Sequence, residues 1–220
     1  MSATAAPSGA LAPRTERLSF AGPAGRIEGA LDRADAAPRG IAVVCHPHPQ
    51  GGGTMDNKVA VTIGRAFVQL GWSVVRFNYR GVGASAGDWD EGRGEVEDAL
   101  AAIAHARALH PGLPLAIGGF SFGGFVAAAA AARLPADAAA RRLVLVAPST
   151  EKQEVPPVPA DTLVVHGDAD ELVPLAATLA WAKPATLPVL VLPGVGHFFH
   201  GQIALLKRLL VRELHELAAV

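Results

Sequence analysis

The chain has 220 residues, half of them hydrophobic, and carries a formal net charge of -1. That length suits one α/β unit, and the near-neutral balance excludes both the basic field that attracts nucleic acid and a polybasic membrane patch. A single cysteine, Cys45, excludes a disulfide within the chain and suits a reducing compartment, so the expected location is cytoplasmic.

Residues 1–14 are rich in Ala, Pro and Ser and lack the basic start and apolar middle of a signal peptide. They are expected to be a ragged, disordered terminus ahead of one domain spanning 15–220. Two short runs, 17–20 and 26–31, flank a Gly22-Pro23-Ala24-Gly25 turn and predict an antiparallel edge. Six short, continuously apolar runs follow at 40–45, 73–77, 113–117, 143–146, 163–165 and 189–192. Runs apolar at every position suit strands buried on both faces of a parallel sheet.

Helical patterns lie between these runs. Residues 57–70 carry Val59, Ile63, Phe67 and Leu70 at helical spacing, with Asp56 or Asn57 as N-cap. Residues 94–109 open with Glu95, Glu97 and Asp98, acids that favour a helix start. Ala-rich 122–134, the stretch 174–183 after Pro174, and 202–217 complete the set. The longest apolar run, 122–132, is well short of the ~20 residues that a membrane span needs. The expected fold class is α/β: a mostly parallel, doubly wound sheet of about eight strands with an antiparallel N-terminal edge and helices on both faces.

Two segments match G-x-S-x-G, around Ser85 and around Ser121. The motif works only as a sharp strand-to-helix turn, where flanking glycines let neighbouring backbone pass close. Ser121 stands between the run at 113–117 and the helix starting at Phe122, so it is the candidate nucleophile. Ser85 is followed by Asp88-Trp89-Asp90 and reads as a turn residue. A serine hydroxyl needs a positioned base. Of the eight histidines, His197 follows the last strand, at the carboxyl edge that also presents Ser121. His200 is the runner-up, whereas His105, His110 and His215 fall in or beside helices. The base in turn needs a carboxylate to set its tautomer. Asp168, Asp170 and Glu171 follow the strand at 163–165, and spacing does not choose among them.

The combination resembles the α/β-hydrolase superfamily, over residues 17–220. In that family the acid loop commonly reads G-x-x-D-x-x-V-P, matched here by Gly167, Asp170, Val173 and Pro174, so the resemblance assigns the acid to Asp170 and leaves Asp168 as a turn-former. The stretch from Asn78 to Ser85 also resembles a structural signature of the family. The oxyanion donors expected by likeness are the N–H of Phe122 and one from the loop after Cys45. Many relatives carry His-Gly there. This chain has His46-Pro47, and Pro47 and Pro49 have no N–H, so the second donor is expected at His48.

Other readings of these residues are weaker. Gly51 to Lys58 lacks phosphate-loop spacing, and Gly81, Gly83 and Gly87 miss the dinucleotide pattern by one position. His46, His48 and Cys45 offer no convergent third and fourth metal ligands, and Cys45 reads as a small buried residue. No cofactor and no metal are expected. Residues 147–160 are too few for the helical cap that many such hydrolases insert. The resemblance therefore implies a small capless serine hydrolase, close to carboxylesterases and dienelactone-hydrolase-like proteins, that cleaves an ester or thioester of a small acyl substrate. Met55, Trp89, Phe122, Phe198 and Phe199 are expected to line its pocket or pack the core beneath it. Peptide hydrolysis or another acyl transfer on the same scaffold is the first rival, and a non-catalytic binding protein the second. The oligomeric state is left open.

Overall fold

The computed structural model describes residues 14–34 and 36–219. The expected N-terminal tail lies outside these residues except for Arg14, which already begins the first strand. That strand, β1 (Arg14–Gly22), pairs antiparallel along its whole length with β2 (Gly25–Arg33), so the opening hairpin is longer than the weak alternation implied.

Eight strands form one sheet in the order β1-β2-β4-β3-β5-β6-β7-β8. The remaining strands are β3 (Ile41–Cys45), β4 (Ser73–Phe77), β5 (Leu115–Phe120), β6 (Arg142–Val146), β7 (Leu163–Gly167) and β8 (Val189–Leu192). β2 runs antiparallel to β4, and every pair from β4 to β8 is parallel. The apolar runs split their side chains between the two faces. Ile41, Val43 and Cys45 join the core under α2 (Arg93–Leu109) and α3 (Phe122–Ala132). Ala42 and Val44 join the core under α1 (Lys58–Gln69) and α5 (Ile203–Glu213). A strand must be apolar throughout to satisfy two such cores.

Local chemistry explains the ends of these elements. Asn57 caps α1, its side chain accepting from the N–H groups of Val59 and Ala60. Glu95 folds back to accept from the N–H of Gly92 at 2.8 Å and starts α2. Asp98 does not serve the helix start, because it binds Arg80 through both oxygens. Two expectations need correction. β5 runs to Phe120 rather than stopping at 117, since Gly118 and Gly119 continue the ladder without an apolar signature. β8 is an edge strand with only Leu192 buried, so it is not covered on both faces. The short α4 (Leu175–Ala182) precedes β8, and no helix interrupts the chain between β6 and β7. Among the described residues, no helix is long and apolar enough to cross a membrane.

Candidate active site

Parallel pairing brings the carboxyl ends of β5, β7 and β8 to one edge of the sheet, and the loop after each contributes one polar side chain. Ser121 follows β5 immediately. It has φ 56° and ψ -122°, a left-handed conformation that costs a non-glycine residue about 1–3 kcal/mol. The motif glycines make the turn possible. A Cβ at Gly119 would lie 2.0 Å from the Gly123 carbonyl, and one at Gly123 would lie 2.3 Å from the Cys45 carbonyl. The Ser121 N–H bonds the Val146 carbonyl at 3.0 Å, tying the turn to β6.

His197 reaches both partners. Its Nε2 lies 3.0 Å from Ser121 Oγ, and its Nδ1 lies 2.7 Å from Asp170 Oδ2. All three residues are largely buried, and Phe120 and Phe198 pack on the imidazole at centroid distances of 4.9 and 5.1 Å. Asp170 Oδ1 accepts from the N–H groups of Leu172 and Val173 at 2.9 and 2.8 Å. Burial opposes ionisation of this carboxyl, but the neighbouring His166 ring, His197 and the Val173 N–H override it and hold Asp170 well below the ordinary carboxylate range. It is therefore an anion at neutral pH, able to keep the proton on Nδ1 and leave Nε2 free to take one from Ser121.

The other two carboxylates do different work. Asp168 Oδ1 accepts from the Gly194 N–H at 2.6 Å and shapes the turn before His197. Glu171 Oε2 lies 3.5 Å from the His197 main-chain N. Ser85 lies away from this group: its Oγ accepts from the Glu28 N–H at 2.9 Å and donates to the Asn78 carbonyl at 2.8 Å, which locks a loop to β2.

The N–H of Phe122 belongs to the first turn of α3, where helix N–H groups lack intrahelical partners and favour negative charge. The loop after β3 bends at His48, whose carbonyl accepts from the N–H groups of Gly51 and Gly53 at 3.1 and 3.0 Å. The His48 ring lies 5.1 Å from the ring of Phe122 and 4.6 Å from that of Trp89. Burial and then the charge of Lys152 lower the pKa of His48, which favours the neutral ring. His46 has both ring nitrogens engaged. Nδ1 donates to the Pro47 carbonyl at 2.7 Å, and Nε2 accepts from the Tyr79 N–H at 3.2 Å. Burial lowers its pKa to about 3, so it is a neutral strut of this loop. Cys45 is fully buried at the end of β3, and burial raises its thiol to about 12.

The apolar residues expected around the pocket divide into two groups. Trp89, half-buried, packs with His48 on the ring of Phe122, which is itself enclosed in the core under α2 and α3, and Phe198, 39% exposed, stands by His197. Met55 and Phe199 are core residues instead. The Met55 sulfur faces Arg17 at 3.8 Å, and Phe199 is wholly enclosed in the core under α1 and α5. His200 stacks on Phe198 at 5.6 Å and bonds neither Ser121 nor Asp170. Sequence reasoning missed Phe120 as a wall of the imidazole and gave His166 no role. The only signal for His166 was its place four residues before Asp170 in the strand that leads to the acid loop.

A family model described as serine aminopeptidase, S33, matches residues 36–161, which include Ser121 and stop short of Asp170 and His197. An α/β serine hydrolase without lid from Xanthomonas campestris is 35% identical, superposes with a TM-score of 0.83, and is covered over 95% of this chain and 97% of its own. An α/β serine hydrolase homologue from Coxiella burnetii is 36% identical with a TM-score of 0.80, over 90% and 97% of the two chains. An uncharacterized protein of Rickettsia prowazekii is 42% identical over 120 residues, 54% of this chain, and the match spans half the length of that curated relative.

Proposed function

The chain belongs to the α/β-hydrolase superfamily, in the family of α/β serine hydrolases, and we propose that it cleaves a carboxylic ester or thioester of a small acyl substrate. The observation that carries this reading is the single imidazole of His197 bridging Ser121 Oγ at 3.0 Å and Asp170 Oδ2 at 2.7 Å. Ser121 Oγ attacks the acyl carbonyl carbon while His197 Nε2 takes its proton. The tetrahedral oxyanion draws on the N–H groups of Phe122 and His48. Collapse expels the alcohol or thiol, which leaves with the proton from His197. Water then attacks the acyl-enzyme, again giving its proton to His197, and the acid is released. Asp170 stays ionised throughout and stabilises the imidazolium.

The surroundings of the site support this substrate class. The rings of Trp89 and His48, seated on buried Phe122, and the exposed ring of Phe198 beside His197 offer surfaces that suit an apolar acyl group. The stretch between β6 and β7 contains no helix that would cap this face, which supports an open cleft suited to short or soluble acyl chains. The lone buried thiol of Cys45 supports a reducing, cytoplasmic setting. The family description favours a second reading, removal of an N-terminal residue from a peptide. That reaction needs a carboxylate for the substrate ammonium. Glu95, the acid whose charge reaches His48, has its oxygens on the N–H groups of Asp90 and Gly92.

A panel of nitrophenyl esters of increasing chain length, run beside aminoacyl nitroanilides, tests the proposal. Short-chain esters are expected to turn over fastest, with the anilides hydrolysed negligibly. Faster anilide cleavage would transfer the assignment to a peptidase, and a sharp preference for long chains would overturn the open cleft.

A further inference from the structure

His166 lies in β7, wholly buried, one residue before the glycine that opens the acid loop. Its Nε2 is 2.9 Å from the Val173 carbonyl oxygen. A carbonyl oxygen only accepts, so Nε2 carries the ring proton, and the neutral tautomer is set by that contact. The same Nε2 is 3.4 Å from Asp170 Oδ2, with both side chains shielded from solvent. Nδ1 is buried and has no hydrogen-bond partner among the described residues. What this ring offers the acid loop is its Nε2–H, which faces both the Val173 carbonyl and Asp170.

We propose that His166 is a positioning residue for Asp170, its Nε2–H shared between the Val173 carbonyl and the carboxylate oxygen that serves His197. This inference rests on the serine-hydrolase reading of Ser121, His197 and Asp170. The carboxylate torsion of an aspartate is broad and soft, so its orientation must be imposed by its partners. Two N–H groups hold Oδ1, those of Leu172 and Val173. Oδ2 has His197 on one side and His166 on the other. The contacts close a ring: Val173 gives its N–H to Asp170 and its carbonyl to His166, and His166 gives its proton back to Asp170. Oδ2 is thereby aimed at the loop carrying His197, which comes from another strand. The other charged or titratable groups around this ring are Glu171, near the His197 main chain, and Asp168, committed to Gly194.

The test is the rate at which a fluorophosphonate labels Ser121, compared in a double-mutant cycle. His166→Phe keeps a ring and removes the proton. It is expected to slow labelling about tenfold or more, the scale expected when a catalytic group is misplaced by an ångström or less. In the Asp170→Asn background the same change is expected to cost less than about twofold, because the carboxylate it positions is gone. His166→Gln, whose amide nitrogen can present a donor near Nε2, is expected to recover most of the rate. Equal costs in both backgrounds, or no cost in either, would overturn the proposal and leave His166 as packing. Nitrogen-15 spectra of the wild-type histidines give a readout that needs no variant: the neutral His166 ring is expected as the Nε2–H tautomer, and the Nδ1–H tautomer would overturn the proposal, leaving no proton to share. The two readings fail separately. An unlabelled wild type defeats the serine-hydrolase assignment, whereas a labelled wild type with His166→Phe reacting equally fast defeats only the role of His166.

Discussion

Asp170 Oδ2 meets His197 Nδ1 at 2.7 Å, whereas Asp168, two residues earlier in the same loop, spends its carboxylate on the Gly194 N–H. The two acids should therefore separate cleanly by function. Asp170→Asn is expected to lower kcat by about ten-thousand-fold, because an amide partner favours the wrong imidazole tautomer. Asp168→Asn is expected to keep kcat within about threefold and to lose about 1 kcal/mol of stability from one weakened turn contact. Ester hydrolysis and urea unfolding of both variants check the pair.

Ser85 offers the complementary prediction, since it satisfies the same short motif as Ser121 but binds the main chain of Glu28 and Asn78. Ser85→Ala leaves a donor and an acceptor without a partner, a loss of about 1–3 kcal/mol. Labelling at Ser121 is expected to remain complete at temperatures where the variant is folded. Loss of labelling in folded Ser85→Ala protein would contradict the division of roles.

The turn at Ser121 depends on backbone segments passing where no side chain fits. Gly123→Ala would place a methyl 2.3 Å from the Cys45 carbonyl and 2.5 Å from that of His46. The loop after β3 must then move away from α3, and with it the N–H of His48. The expected result is about a hundredfold loss in kcat and about 1–3 kcal/mol of destabilisation, measured by ester turnover and thermal unfolding.

His46 predicts a pH dependence of stability. Burial lowers its folded pKa to about 3, against about 6.5 for an unfolded histidine. Between those values the unfolded chain binds a proton that the folded chain refuses, so stability falls as pH falls. The slope from this one residue approaches about 1.4 kcal/mol per pH unit between roughly pH 6 and 4. His46→Gln is expected to be less stable at pH 7 but to show a shallower decline with acid. Parallel slopes for the two proteins in urea titrations would contradict the assignment.

The strands near the site were legible because a parallel sheet buried on two faces requires uninterrupted apolar runs, as at 40–45 and 163–165. The end of β5 was hidden for the opposite reason. Gly118 and Gly119 carry no apolar signal, yet close contacts with Ile63 and Gly123 are what require glycine there. Ser121 and His197 could be chosen from their positions at strand ends. Asp170 came from resemblance alone, since choosing it from physics needs the direction each side chain takes in the folded loop. The same limit separates Trp89 and Phe198 from Met55 and Phe199. All four are large and apolar in loops, and only the fold determines which of them turn inward.

A Ser121 hydroxyl activated by His197 is expected to attack an electrophilic phosphonate as it would an acyl carbon. Mass spectrometry after reaction with a fluorophosphonate probe tests it most directly. One adduct per chain is expected, on the peptide containing Ser121, abolished in Ser121→Ala and slowed by several orders of magnitude in His197→Ala. A folded wild-type protein that forms no adduct, or an adduct that persists in Ser121→Ala, would contradict it.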